Sequence, residues 1–354
     1  MKKQFSILVV SIAIVGLTLS LVGATSVSKA APNEGLSKPI PATDVKIIKK
    51  VFLPEKGEQK GKPATPPGKE KNGGPAATGD LGTSATGTKY AIVIGICNYP
   101  GTSHDICWSD GDSLNMYKAL TTLYGYSPEN IYLLRDMVSL NTEPYYDPEG
   151  VTDSPASIQK IEGAISQIEG KGIMEGDEIV FFFSGHGADG IARDNDKEVR
   201  DEGVVTYDEQ TGELYVIWDG QLRDRFSETI GKKTTRIVFV FDTCLAGGMN
   251  DVAADGRVVN MATEETQVAY VYSKGDSATG EPGEGVFSHF FVNEGMLQGL
   301  ADVYKHGIDD RNDATLGEDV VVEEAFDYAN VIIPTIWKRQ DPVISDKFEN
   351  DLLL

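Results

Sequence analysis

Two short stretches hold the residue types that can do nucleophilic chemistry. Arg236-Ile-Val-Phe-Val-Phe-Asp242-Thr-Cys244-Leu-Ala-Gly247-Gly248 runs from an apolar segment into an acid, a thiol and a glycine pair. Asp177-Glu-Ile-Val-Phe-Phe-Phe183-Ser184-Gly185-His186-Gly187 has the same form and ends in an imidazole between glycines. A thiol near an imidazole is the minimum for covalent catalysis, because the imidazole takes or holds the proton and makes a thiolate available. Taken singly, Cys244 reads better as a buried thiol and His186 as a core histidine. The case rests on the pair.

The surrounding elements must bring the two together. Continuous apolar runs this short, rich in β-branched and aromatic residues, read as strands buried on both faces of a parallel sheet. Chemistry in open α/β sheets collects at the carboxyl ends of such strands. Further strands are expected at Tyr90–Ile96, Asn130–Leu134 and Arg257–Ala262, with Gln267–Tyr272 as a short extension. Asp110-Gly-Asp112-Ser113 reads as the cap of a helix over Leu114–Tyr124. Ser154-Pro155 opens another, with Ile158, Ile161, Ala164, Ile165 and Ile168 on one face. Helices are also expected over Trp218–Ile230, Gly285–Val303 and Asp319–Trp337, and residues 188–213 read as an acidic loop. The alternation predicts an α/β fold: one domain with a mainly parallel sheet and helices on both faces.

Charge divides the chain of 354 residues into unlike parts. The net charge of −22 is the sum of +6 over residues 1–88 and −28 over the rest. A surface so negative argues against nucleic acid, whose binding rests on Lys and Arg neutralising phosphates, and suits substrates with basic residues. Met1-Lys-Lys3, an apolar run from Phe5 to about Gly23 and the small residues ending at Ala24 or Ala30 have the form of a secretory signal. The expectation is export, a signal over residues 1–30, and no stable membrane insertion once it is removed. Residues 31–88 read as a Pro/Gly/Lys-rich linker or pro-segment, and 89–354 as the domain. Within the linker only Val45–Leu53 (VKIIKKVFL) could pack on anything. The lysines of residues 31–88 face an acidic domain, which makes the whole segment a candidate charge-matched lid. The three cysteines, Cys97, Cys107 and Cys244, leave at least one free thiol; two buried thiols are expected at Cys97 and Cys107, with a Cys97–Cys107 pair as the alternative. They show no transition-metal spacing.

With these residues in place, the domain resembles the caspase-like cysteine peptidases, nearest to metacaspase-like and legumain-like prokaryotic members. Ser184-Gly-His-Gly187 resembles the family's histidine motif, and Asp242-Thr-Cys-Leu-Ala-Gly247 its cysteine motif. Cys107-Trp-Ser-Asp110 resembles the segment before the first helix, and Gly285-Val-Phe-Ser288 a late segment leading into a helix. All four occur in family order. The resemblance implies a caspase-like fold and an endopeptidase with Cys244 as nucleophile and His186 as general acid/base. It further implies an oxyanion hole from the N–H groups of Gly187 and Cys244, and a basic-selective pocket lined by Asp110 and Asp242. Asp-Thr-Cys stands where animal caspases have Gln-Ala-Cys, so aspartate specificity is not implied. The alternatives are a legumain-like asparaginyl peptidase or transpeptidase and, in a different class, a non-catalytic binding module.

The chemistry needs no cofactor, but the resemblance raises Ca²⁺ as an activator. Asp194, Asp196, Asp201, Glu202 and Asp208 are candidate oxygen ligands, against a solvated acidic loop. Arg193, Lys197, Arg200 and the lysines within 46–71 are candidate self-processing sites of a zymogen. Gly185-His-Gly187-Ala-Asp-Gly190 matches a dinucleotide-binding pattern, but no helix follows to receive a pyrophosphate.

Overall fold

The computed structural model describes residues 35–52, 75–96, 98–101, 108–136, 153–194, 197–273, 283–302, 320–337 and 339–354. The proposed signal lies outside them, as do Cys97, Cys107, Asp196 and residues 53–74 of the lysine-rich linker. From Gly35 to Leu354 the chain forms one compact unit.

The apolar runs become strands of a seven-stranded sheet. In chain order its members are β3 (Lys89–Ile96), β4 (Ile131–Asp136), β5 (Asp153–Ser154), β6 (Glu178–Ser184), β10 (Ile237–Asp242), β11 (Arg257–Met261) and β14 (Val343–Asp346), and their spatial order is β14-β11-β10-β6-β3-β4-β5. All neighbours are parallel except β11 and β14, which run antiparallel at one edge. Every residue of β6 and β10 is buried, as two-sided cover by helices requires. Phe181, Phe226 and Phe239 lock one face, with Phe226 and Phe239 edge-to-face at 4.9 Å. Truncating a phenylalanine in such a cluster costs roughly 3–5 kcal/mol.

The helices are α1 (Ser109–Thr122), α2 (Ile158–Gly170), α3 (Asp219–Glu228), α4 (Val286–Ser288, continuing as a wider coil through His289–Leu297) and α5 (Val322–Ile336). All five residues expected on the inner face of α2 are buried. The Ser157 hydroxyl caps this helix, three residues beyond the serine singled out from sequence. Helix α1 begins at Ser109, earlier than expected, so Asp110 and Asp112 lie inside its first turn.

The largest departure is the acidic stretch 188–213. It is mostly sheet: β7 (Gly187–Ala192) and β8 (Asp201–Tyr207) pair antiparallel, and β8 pairs with β9 (Leu214–Trp218). The apolar residues Val204, Val205 and Ile217 are fully buried, and their pairing outweighs the acidic composition around them. The fourth strand of this sheet, β1 (Ala42–Ile48), comes from the predicted linker and lies antiparallel to β7. A small third sheet joins β2 (Val51–Phe52), β12 (Tyr270–Ser273) and β13 (Glu284–Gly285). Leu36 and Ala77 are also buried. Parts of residues 35–88 are therefore built into the domain instead of leading up to it.

Candidate active site

Strands β6 and β10 are adjacent and parallel, with Asp242 opposite Ser184. Both strands leave the sheet at the same edge, and two residues further on lie His186 and Cys244. Gly185 N–H donates to the Asp242 carbonyl at 3.3 Å. The Cys244 carbonyl oxygen lies 2.1 Å from where a Cβ on Gly187 would sit, so only glycine lets the two tips meet. Leu245 follows in the left-handed region at φ 60°, a conformation that costs a non-glycine residue about 1–2 kcal/mol. Its N–H is held by the Gln267 carbonyl at 2.8 Å, which fixes the turn behind the thiol.

His186 is fully buried and rigidly placed. Its ring stacks on Tyr99 at 4.9 Å, and its backbone N–H donates to the Tyr99 hydroxyl at 2.9 Å. That hydroxyl donates in turn to the Val205 carbonyl at 3.2 Å. Sequence reasoning passed over Tyr99; its only signal is an aromatic residue just beyond the first sheet strand. Nδ1 of His186 accepts the Lys50 N–H at 3.1 Å, so this nitrogen carries a lone pair. Sγ of Cys244 receives the Ala269 N–H at 3.3 Å, and the residue is 1% exposed.

Beside this pair is a closed acidic pocket with a cation in it. Lys50 Nζ lies 2.8 Å from Asp242 Oδ1, 2.8 Å from Ser184 Oγ and 3.6 Å from Asp112 Oδ2. All four residues are fully buried. Ser184 Oγ accepts from the ammonium and donates to Asp112 Oδ2 at 2.6 Å. The other Asp112 oxygen accepts the Gly285 N–H at 2.8 Å. Asp242 Oδ2 accepts the Ser288 N–H at 3.0 Å and its hydroxyl at 2.7 Å. A Cβ on Gly285 would lie 2.4 Å from Asp242 Oδ2, so a side chain there would fill the pocket wall. The Gly-Val-Phe-Ser segment thus holds both acids. Burial pushes the Asp112 carboxyl well above the usual range, Lys50 pulls it back and the Asp242 carboxylate pushes it up again.

The second pocket acid is Asp112, in place of the expected Asp110. Two residues along a helix turn the side chain through about 200°, so only one of the pair can face this pocket. Asp110 is buried in the first turn of α1, where its carbonyl accepts the Ser113 hydroxyl at 2.7 Å. Gly187 and Cys244, the expected oxyanion donors, are brought together, and Gly187 lies opposite Ile48 of β1.

A second acidic cluster forms where β8 meets α3. Oxygens of Asp194, Asp201 and Asp219 all lie within 4.8 Å of one another, and so do those of Glu198, Glu202 and Asp219. Asp194, Asp201, Glu202 and Asp219 are buried. Burial, then the neighbouring Asp194, drive the Asp219 carboxyl far up. Burial, then Glu265 and further acids, push Glu202 up to about 8. Oxygen atoms of Glu202 and Asp219 are buried without a hydrogen bond among the described residues, and such oxygens are what a hard cation takes. The donor set fits calcium. Asp219 was missed because it lies beyond the acidic run, at the start of a helix. Asp208 does not join the cluster: it caps an exposed turn, accepting N–H bonds from Gln210 and Thr211 at 2.8 and 2.9 Å.

Residues 89–253 match the family model for the metacaspase peptidase C14 domain. Metacaspase-4 of Arabidopsis thaliana is 32% identical over 170 residues, which are 48% of this chain and 36% of that protein. Metacaspase-1 of Cryptococcus neoformans is 27% identical over 268 residues, covering 69% of this chain and 51% of the relative. The chain thus spans about half of these relatives or less. The matched segment contains the strands that end in His186 and Cys244, together with both acidic clusters. Through residues 89–253, the chain is similar to the metacaspases among the caspase-like cysteine peptidases.

Proposed function

We propose that the protein is a cysteine endopeptidase that cleaves after lysine or arginine, with Cys244 as nucleophile and His186 as general acid/base. The observation that supports this most is the ammonium of Lys50 between Asp242, Asp112 and Ser184, within a few residues of both tips. A pocket that buries two carboxylates is stabilised by a cation with hydrogen-bond donors and is poorly matched to a neutral amide. That disfavours the asparaginyl alternative.

In the reaction, Sγ of Cys244 adds as thiolate to the substrate carbonyl carbon. The developing oxyanion is stabilised by the N–H groups of Gly187 and Cys244. His186 gives its proton to the leaving nitrogen as the C–N bond breaks, leaving a thioester. Water then adds with His186 as base, and the acid product and thiol are released.

Calcium is proposed to bind Asp194, Asp201, Asp219 and Glu202, where its charge would stabilise the ionised form of these buried carboxyls. Self-processing at other basic positions and export are proposed too, the latter on residues 1–30 alone. Arg200 is a poor processing site, because its guanidinium is bidentate on Asp189 and also bonds Asp44.

The test uses the full chain and its Cys244→Ala variant on matched peptides with Lys, Arg, Asn or Asp before a fluorogenic amide, with Ca²⁺ and with chelator. Cleavage of the basic peptides, absent from the variant, is expected. Cleavage of the Asn peptide alone would replace the specificity, and cleavage that survives in the variant would remove the mechanism.

A further inference from the structure

We propose that residues 42–52 are an internal plug: Lys50 fills the specificity pocket in a register that the enzyme cannot cut. The inference rests on the peptidase reading and concerns the regulation of the same site. Three observations carry it.

The first is occupancy. Lys50 is the only residue of the arm whose side chain reaches both pocket acids among the described contacts, and it is fully buried. The arm belongs to the part of the chain with net +6, facing a remainder at −28. Ile48 packs against the apolar patch formed by Cys244, Leu245 and Ala269, which covers the thiol side of the cleft.

The second is register. To break the Lys50–Val51 bond, Sγ must add to the Lys50 carbonyl carbon and a proton must reach the Val51 nitrogen. His186 Nδ1 is instead held by the N–H of Lys50 itself, at 3.1 Å. The Val51 N–H points to the Ala269 carbonyl at 3.4 Å. The nitrogen that must leave is bonded away from the imidazole, and the imidazole is bonded to a nitrogen that does not leave. Catalysis requires the acid within hydrogen-bond reach of the leaving atom.

The third is anchorage on both sides of the cleft. Strand β1 pairs antiparallel with β7 up to Ile48 opposite Gly187, and β2 pairs parallel with β12. Asp44 adds an ion pair to Arg200 at 2.9 Å. The arm is therefore a bridge across the site held by sheet pairing, and its occupancy lowers the competent fraction of the enzyme.

The experiment reads the thiol directly, so that it does not depend on peptidase activity. The rate of Cys244 alkylation by iodoacetamide is followed by mass analysis of the Cys244 peptide in the full chain and in its Lys50→Ala and Lys50→Met variants. Thermal melting confirms that each is folded. Alkylation is expected to be about tenfold faster or more in both variants. A synthetic peptide of residues 42–52 should slow it again and remain intact. Equal rates in the wild-type and variant chains would overturn the plug. Scission of the peptide between Lys50 and Val51 would overturn the register, making the arm a substrate. Faster alkylation with no peptide hydrolysis in any variant would leave the plug standing and sink the peptidase reading instead.

Discussion

Two acidic clusters in this protein pose the same electrostatic problem and meet it differently. Around Lys50, the carboxylates of Asp112 and Asp242 are fully buried, yet a buried ammonium, two hydroxyls and two backbone N–H groups from Gly285 and Ser288 compensate them. Around Asp219, four acids are buried close together, one oxygen of Glu202 and one of Asp219 lack a hydrogen bond among the described residues, and both carboxyls are driven toward the protonated state. Burying a carboxylate without compensation costs several kcal/mol, which favours proton uptake or a bound cation at Glu202 and Asp219. The first holds a cationic side chain of the chain itself, and it is the proposed site for a substrate's. The second is the proposed site for a metal ion.

Removing the closer charge of the first cluster should have the largest effect. Asp242→Asn deletes the carboxylate at 2.8 Å from the ammonium and is expected to lower kcat/KM for Lys peptides by roughly 100-fold or more, measured in a Lys50→Ala background. Asp112→Asn, at 3.6 Å, should cost about tenfold. An equal loss in both would mean that the pocket is not read by distance. The second cluster should respond differently. Asp219→Asn is expected to abolish binding of Ca²⁺ by calorimetry while leaving the Lys-over-Asn preference intact; a changed preference would merge the two sites.

The pH dependence separates them further. The Asp112 carboxyl is raised, first by burial and then by Asp242, so its charged form is lost already as pH falls toward and below neutrality. In the Lys50→Ala chain, KM for a Lys peptide should therefore climb as pH drops through that range. Asp112→Asn should flatten the profile; an unchanged profile would assign the titration elsewhere. The smallest effect expected is that of Arg200→Ala. Its ion pairs to Asp44 and Asp189 are partly exposed, and such pairs contribute little, so Cys244 alkylation should rise by a few-fold at most.

Much of this was legible in the sequence because the strands that carry the chemistry are buried on both faces. Ile237–Asp242 and Glu178–Ser184 show themselves as apolar runs ending in polar tips, and the tips are where the reactive residues lie. Asp112 was harder, since composition cannot tell which of two acids in one helical turn faces the sheet. Asp219 sits far along the chain from Asp194 and meets it only through the pairing of β8 with β9. The arm was visible as the one apolar segment in a lysine-rich stretch, and the lysines of the whole stretch suggested a lid. Which lysine enters the pocket depends on the register of β1 against β7, and that register is written in neither strand alone.

The most direct measurement of the central claim is the ratio of kcat/KM for a Lys peptide to that for its Asn counterpart, in the Lys50→Ala chain and in the same chain carrying Asp242→Asn. The account expects a large ratio in the first, collapsing toward unity in the second, with both activities lost on adding Cys244→Ala. A ratio that Asp242→Asn leaves unchanged would show that the pocket around Lys50 does not select the substrate.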